Sequence, residues 1–365
     1  MRLVNDNAAA QPLYRLLAIG YSAARAGAPF APVCWGLPMP TPSISQANVE
    51  KLVTVFGGSG FLGRHIVRAL CKRGYRVRVA VRRPDLAFHL QPLGRVGQIH
   101  AVQANLRYPA SVQAAARGAD VVINLVGILF ERGRQRFTVV QAEGPGIVAA
   151  AATEAGARMI HVSAIGADPD SPSDYQRSKG LGEQAVRAAA ADATVVRPSI
   201  VFGPEDDFFN RFASLARFMP ALPLIGGGTT RFQPVFVGDV AEAIARATDG
   251  AARAGVTYEL GGPDVRTFKE LMQFILATVQ RQRLLLPLPF GLAEFQAWFL
   301  QFMPKPVLTP DQVRMLKSDN VVSAAAESEG RTLPGLGIEP HSIAAIVPSY
   351  LWRFRKSGQF HQRPA

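Results

Sequence analysis

Lys51-Leu-Val-Thr-Val-Phe56 runs without a break into Gly57-Gly-Ser-Gly60-Phe-Leu-Gly63, and then into Arg64-His-Ile-Val-Arg-Ala-Leu-Cys-Lys-Arg73 before Gly74. The first run is short, apolar and β-branched, as a strand buried on both faces of a parallel sheet must be. The last has the spacing of an amphipathic helix. Between them, three glycines at G-x-x-G-x-x-G spacing have separate jobs. Gly57 permits a tight turn, Gly60 lets the main chain approach a diphosphate, and Gly63 lets the helix pack closely on the strand. The free N–H groups that open the helix then face the phosphates. Glycines alone are weak evidence; between a strand and a helix they predict dinucleotide binding.

The next apolar run, Tyr75-Arg-Val-Arg-Val-Ala-Val81, ends in Arg82-Arg83-Pro84. A carboxylate at this point accepts hydrogen bonds from a ribose 2′-OH, whereas arginines match a 2′-phosphate through charge-assisted bonds. The expected cofactor is therefore NADP(H) in preference to NAD(H), with one arginine of the pair facing solvent. Further strands are expected at Gln98–Gln103, Ala119–Gly127, Arg158–Ser163 and Thr194–Val201, with helices between them, Gln141–Ala155 included. Repeated β-α units predict a doubly wound parallel sheet, the Rossmann arrangement, covered by helices on both faces. Ligands of such sheets bind beyond the carboxyl ends of the strands. Gly57, Arg82, Asn105, Gly127, Ser163 and Arg197 all fall at or near such ends.

Around this core the composition bounds the remaining possibilities. The 365 residues are 48% hydrophobic and 18% charged, enough for a sizeable core and too apolar for global disorder. Two cysteines, Cys34 and Cys71, exclude a disulfide framework, and the histidines show no metal-ligand spacing, so no metal is expected. No apolar run reaches the length of a membrane span. Lys and Arg number 40 against 27 acids, a net charge of +13. The excess is scattered and reads either as a generally basic surface or as attraction to something anionic. No zinc-finger spacing, basic heptad or aromatic sheet motif accompanies it, and no nucleic-acid partner is expected. Residues 1–46 are Ala/Pro-rich with a single acid, Asp6. They read as a transit-like segment, a disordered extension, or translation from an upstream start, outside the fold in every case.

Five segments in order carry a family resemblance: Gly57–Gly63, Tyr175-Gln-Arg-Ser-Lys179, Arg197-Pro-Ser-Ile-Val-Phe-Gly-Pro204, Val235-Phe-Val-Gly-Asp-Val240 and Tyr258-Glu-Leu-Gly-Gly262. Over residues 51 to about 280 the chain resembles an extended or atypical short-chain dehydrogenase/reductase. Leu288-Pro-Phe-Gly-Leu292, Leu308-Thr-Pro-Asp-Gln-Val313 and Lys317-Ser-Asp-Asn-Val321 look, more narrowly, like the NAD(P)H-binding, dehydrogenase-like accessory subunits of respiratory complex I. The resemblance implies cofactor contacts from Gly57, Ser59, Gly60, Phe61, Leu62, Gly63, Arg82, Arg83, Asn105, Leu106, Val126, Gly127, Lys179 and Pro198. It also implies a catalytic group of Tyr175, Lys179 and Ser163. On a helix, i and i+4 share a face, and a nearby ammonium is expected to lower the Tyr175 pKa towards neutrality. Ser163 is followed by Ala164 where relatives carry a second hydroxyl, and it reads equally as a strand-end residue satisfying the backbone. Asn105 stands where relatives place an aspartate against the adenine amino group, and its amide oxygen can accept that bond. His161 is expected in the core, Gly226–Gly228 in a substrate-side loop, and Asp239 as a helix cap.

The C-terminal region, 281–365, is expected to be mostly helical and packed with insertions from about 205–235. Its aromatic run Leu292–Met303 is wider in apolar face than one neighbour requires, and Tyr350–Lys356 alternates aromatic and basic residues. These suit a lid over a pocket, a protein partner or an anionic membrane surface. Two functions follow as expectations. One is an NADP(H)-binding accessory subunit on the peripheral arm of complex I, at the cytoplasmic face of a bacterial inner membrane or the mitochondrial matrix side. The other is a free NADP-dependent oxidoreductase or epimerase using Tyr175 and Lys179.

Overall fold

A computed structural model describes residues 48–303 and 308–356; the segment 1–46 lies outside them. Seven strands form one sheet: β1 (Leu52–Phe56), β2 (Arg76–Val81), β3 (Ile99–Gln103), β4 (Val121–Asn124), β5 (Arg158–Val162), β6 (Thr194–Pro198) and β7 (Thr257–Leu260). The order across the sheet is β7-β6-β5-β4-β1-β2-β3, and every pairing is parallel. The six expected strands are present, four shorter by a single residue and the fourth and sixth, Val121–Asn124 and Thr194–Pro198, by more. β6 stops at Pro198, which has no N–H to continue a ladder, and Val201–Phe202 pairs instead with Val235–Phe236.

The α-helices of six or more residues are α1 (Phe61–Lys72), α2 (Pro109–Ala116), α3 (Gly144–Glu154), α4 (Asp174–Ala189), α5 (Phe208–Phe218), α6 (Val237–Asp249), α7 (Phe268–Thr278), α8 (Phe290–Leu300) and α9 (Pro310–Met315). A π-helical segment, Thr138–Glu143, feeds α3. One face of the sheet buries Ile66, Val67 and Leu70 of α1 with Val240 and Ile244 of α6. The other buries Val112 of α2, Val148 and Ala152 of α3 and Val186 of α4. Both faces are thus shielded, which is why the strands are nearly continuous apolar runs.

A further core joins Phe202, Phe209 and Leu222 to Phe268, Leu271 and Ile275 of α7, and to Ile343, Val347 and Leu351 near the end of the described chain. The C-terminal region also returns to the main core, through Leu333, Leu336 and Ile338. Alongside its helices it contains a strand, Leu284–Leu288, paired in parallel with Ala221–Ile225. α8 packs on its neighbours by the small residues Ala293 and Ala297, against Ile225 and Val313. Its bulky residues Leu292, Phe295, Trp298 and Phe299 stay exposed, as do Phe302 and Met303 just beyond. Among the described residues no helix is long and apolar enough to cross a membrane.

Candidate functional site

The strand order reverses between β1 and β4, and the crevice at such a switch point is where doubly wound sheets hold ligands. A cleft of about 370 Å³ opens there, walled by the glycine turn and by the ends of β2, β3 and β4. Gly57, Ser59, Gly60, Phe61, Leu62, Gly63, Arg82, Asn105, Leu106, Val126 and Gly127 all line it. Arg83 and Pro198 do not. Arg83 turns to solvent and pairs with Asp85 at 2.9 Å, the outward-facing member expected of the pair. Pro198 closes β6 opposite Leu260.

The turn itself divides its glycines by purpose. Gly57 has φ +79°, which L residues rarely adopt, and a Cβ there would press on Val126 Cγ2 at 3.3 Å. A Cβ on Gly63 would lie 2.5 Å from Gly58 O, so helix and strand touch through bare backbone. Gly60 is different. Its φ of −75° and ψ of −178° suit any residue, and an added Cβ would meet only Gly57 O, at an ordinary 3.4 Å. The fold does not require glycine at 60, but a ligand laid against the main chain does. α1 starts at Phe61 with no side-chain cap and no acid in its first turn, so its leading N–H groups are open to an anion. The residues present therefore fit a dinucleotide diphosphate.

Charge points the same way. Arg82, Arg107 and Arg134 line the cleft, and no carboxylate does. Arg82 has no hydrogen bond or ion pair among the described residues. Asn105 spends part of its amide oxygen on an Asx turn to Arg107 N at 3.2 Å, leaving a second lone pair for a ligand donor. Arg107 and Arg134 escaped the sequence reading. Arg107 lies two residues past Asn105, and Arg134 sits in the Arg132-Gly-Arg134-Gln-Arg136 run, the only local sign of it.

Tyr175, Lys179 and Ser163 do not line this cleft. Lys179 is 6% exposed, donates to Val162 O at 3.3 Å, and its Nζ would lie 3.3 Å from a Cβ on Gly127. That brings the ammonium next to the Ser163 position and against the back of the cleft. The Ser163 hydroxyl is buried without a partner, while its N–H bonds Val196 O at 2.8 Å, so the side chain is not needed to satisfy the strand end. Tyr175 packs edge-to-face on Phe137 at 6.1 Å between centroids. The expected lowering of the phenol is reversed. Burial pushes Tyr175 up to about 12 and pulls Lys179 down to about 8, the latter against the pull of Glu183. Glu183 in turn is held by Arg197 in two bonds of 2.8 and 2.7 Å.

Two neighbours complete the surroundings. His161 is fully buried in β5, and burial drives its pKa down to about 3, with Lys179 adding to the effect. Asn124 Nδ2 donates to His161 Nδ1 at 3.3 Å, leaving the ring proton on a partnerless Nε2. The first turn of α4 is held from a distance of sequence: Asp311 accepts from Asp174 N at 2.7 Å, Tyr175 N at 3.0 Å and Ser173 Oγ at 3.1 Å. Asp239, expected as a helix cap, is instead inside the first turn of α6, because the chain passes directly from Phe236 into the helix. Its carboxylate takes His341 N at 2.8 Å and lies 2.7 Å from His341 Nδ1, pinning the C-terminal region.

The NAD dependent epimerase/dehydratase family matches residues 53–261, from β1 to just past β7. The chain belongs to that family. Within this epimerase/dehydratase family it groups with the complex I subunit 9 proteins. NADH dehydrogenase (ubiquinone) 1 alpha subcomplex subunit 9, mitochondrial, of Arabidopsis thaliana is 37% identical over 327 residues, covering 86% of this chain and 80% of that protein. The Rattus norvegicus protein of the same name is 34% identical over 328 residues, covering 85% and 82%. A ceramide reductase of Caulobacter vibrioides is 39% identical over a shorter stretch of 194 residues, 53% of this chain and 60% of that protein. Among solved structures, an NADPH-dependent quinone oxidoreductase from Escherichia coli superposes with a TM-score of 0.64 at 20% identity, over 82% of this chain and 99% of that one. A dTDP-glucose 4,6-dehydratase from Streptomyces venezuelae, with NAD bound, gives 0.62 at 22% identity, over 83% and 96%. These last two establish the fold of the family member.

Proposed function

We propose that this protein is an NADP(H)-binding accessory subunit of a respiratory NADH:quinone oxidoreductase, in which the dinucleotide is a resident structural ligand. The observation that carries the reading is the space in front of Gly60 at an uncapped helix start, faced by the unpaired Arg82. The glycine turn would hold the diphosphate, Arg82 the 2′-phosphate, Asn105 and Leu106 the adenine, and Val126, Gly127 and Lys179 the nicotinamide side. When bound, the group supplies a nicotinamide able to exchange hydride; the chain supplies binding, orientation and exclusion of water. Similarity to the subunit 9 proteins over most of both lengths supports complex I as the assembly.

Residues 281–365 would attach the protein to peripheral-arm subunits, because α8 offers an aromatic face that no described residue covers. Burial first, and then the charges of Arg283 and Arg217, lower Arg281; this cluster of three arginines favours a setting against an anionic membrane surface. The position expected is the cytoplasmic face of a bacterial inner membrane, or the matrix side in a mitochondrion. The test is mild solubilisation of native membranes. Comigration with NADH:quinone oxidoreductase activity, and release of a stoichiometric 2′-phosphorylated dinucleotide on denaturation, are expected. A wholly soluble, unassociated pool counts against the assembly role.

A second reading, a free oxidoreductase or epimerase, is favoured by one observation: the Ser163 hydroxyl is buried without a partner beside Lys179. Tyr175 would exchange the proton and Ser163 would bond the reacting oxygen. The ceramide reductase relative supports a lipid-like substrate for this reading. Tyr175→Phe should abolish turnover of any substrate found; unchanged turnover removes this mechanism.

A further inference from the structure

Three arginines line the dinucleotide cleft, and they stand on different sides of the glycine turn. Arg82 follows β2 and Arg107 lies beyond β3, both to one side of β1 in the sheet order. Arg134 comes from the chain beyond β4, on the other side of β1. There the glycine turn and the end of β4 nearly touch, since a Cβ on Gly57 would lie 3.3 Å from Val126 Cγ2.

A short hairpin presents Arg134. Arg132 and Gln135 exchange two main-chain bonds of 3.0 Å, which makes Gly133 and Arg134 its two-residue loop. Gly133 has φ +56°, the positive value that the first loop residue of a type II′ turn takes. At the base, Glu131 accepts from Phe137 N at 2.7 Å, and the Phe137 ring is buried with its edge-to-face contact on Tyr175 of α4. The hairpin therefore has a firm footing, with Gln135 lining the cleft beside Arg134. Arg134 is exposed and has no hydrogen bond or ion pair among the described residues. The one acid of the hairpin, Glu131, lines the neighbouring cavity and not this cleft.

Given the nucleotide-binding role proposed above, on which this rests, we infer that Arg134 holds the diphosphate of the dinucleotide from the hairpin side, taking the phosphate nearer the nicotinamide. The 2′-phosphate belongs to the β2 side, where Arg82 stands. The glycine turn offers the diphosphate only main-chain N–H groups and the start of α1. A dinucleotide laid from β2 across β1 to β4 brings its second phosphate towards Arg134, and a guanidinium meets a phosphate by two charge-assisted bonds. NADP(H) and NAD(H) share that phosphate. Arg134 thus adds affinity for both, where Arg82 chooses between them.

The experiment is calorimetric titration of the full-length protein with NADPH, NADH and adenosine 2′,5′-bisphosphate, the last of which ends before the nicotinamide-side phosphate. Arg134→Gln should weaken NADPH and NADH by the same factor, about tenfold, and leave the bisphosphate within about twofold. Arg136→Gln removes the same charge from an exposed position of the same hairpin outside the cleft lining, and should change none of the probes by more than about twofold. The nucleotide-free melting midpoint should stay where it is in both variants, since neither side chain is buried. Unchanged NADPH affinity in Arg134→Gln overturns the assignment. So does a loss confined to NADPH, an equal loss for the bisphosphate, or an equal loss in Arg136→Gln. If the unaltered protein binds none of the probes, the nucleotide site itself fails and this contact with it.

Discussion

Gly60→Ala separates a glycine kept for a ligand from one kept for the fold. In the ligand-free protein two small terms oppose each other. Alanine narrows the unfolded ensemble at a backbone position it can adopt, a gain of about 0.4–1 kcal/mol. As an N-cap it is poorer than glycine by a comparable amount. The added Cβ meets nothing nearer than 3.4 Å, so no clash enters. The net change should stay below about 1 kcal/mol. Bound nucleotide changes the comparison: at a hundredfold excess over its dissociation constant it stabilises the wild type by about 2.7 kcal/mol. At the lower conversion for a large chain, that raises the melting midpoint by about 5 °C. The methyl group occupies the approach to the main-chain amides, so the variant should lose most of this shift while its ligand-free midpoint barely moves. Gly63→Ala is the control. There the Cβ would sit 2.5–2.6 Å from the Gly58 backbone, and the ligand-free protein should lose about 1–3 kcal/mol. Thermal scans with and without NADPH read both numbers. If Gly60→Ala keeps the full nucleotide shift, or melts early without nucleotide as Gly63→Ala does, the assignment of this turn to a diphosphate is wrong.

Three further outcomes follow from the same geometry. Arg82→Ser should weaken NADPH binding about ten- to a hundredfold and leave NADH unchanged, whereas Arg83→Ser should alter neither by more than about threefold; equal effects of the two would contradict the cleft as described. His161 is neutral when folded, with a value near 3, against 6.5 for a free imidazole. Its contribution is therefore intact above the unfolded value and drains away as pH falls towards the folded one. Between about pH 7.5 and about pH 5 that amounts to about 2 kcal/mol of lost stability, and urea unfolding of His161→Gln should show a slope smaller by this amount. Asp311→Ala strips three donors at the start of α4 of their acceptor and should cost about 1–3 kcal/mol in urea; an unchanged midpoint would mean water replaces the carboxylate without penalty.

What could be read from the sequence was what is local. The β1–glycine–α1 unit is contiguous, so its turn geometry, packing and open amides are all encoded within about two dozen residues, and Gly57 and Gly63 fall into the turn and packing roles their spacing assigns. β7 is only Thr257-Tyr-Glu-Leu260 and carries a charge in its middle. Glu259 is tolerated there because Arg197 lies at 3.6 Å and Ser323 N donates at 2.8 Å, partners far away in sequence. The pairing of Ala221–Ile225 with Leu284–Leu288 is equally remote, and both strands contain proline, which hides them from pattern reading. Arg107 and Arg134 reach the cleft from loops, where no periodicity marks a direction.

The Tyr175–Lys179 pair marks the boundary of this kind of reading. Four-residue spacing guarantees a shared helix face, and the structure keeps it. It does not guarantee that the ammonium acts on the phenol. Lys179 points to Val162 O and lies against Gly127 and His161, while its one charged helper, Glu183, is already committed to Arg197. Burial then works on both groups in the direction of neutrality, raising the phenol and lowering the ammonium. A phenol near 12 is a poor base at neutral pH. To become one it needs water or a cationic group beside the phenol to stabilise its charged form, or a shift of the first turn of α4. That turn is the one Asp311 holds from the C-terminal region. Thus whatever pulls on α9 acts, through Asp311, on the turn that carries Tyr175, and an anchor on that region would reach the phenol by this route.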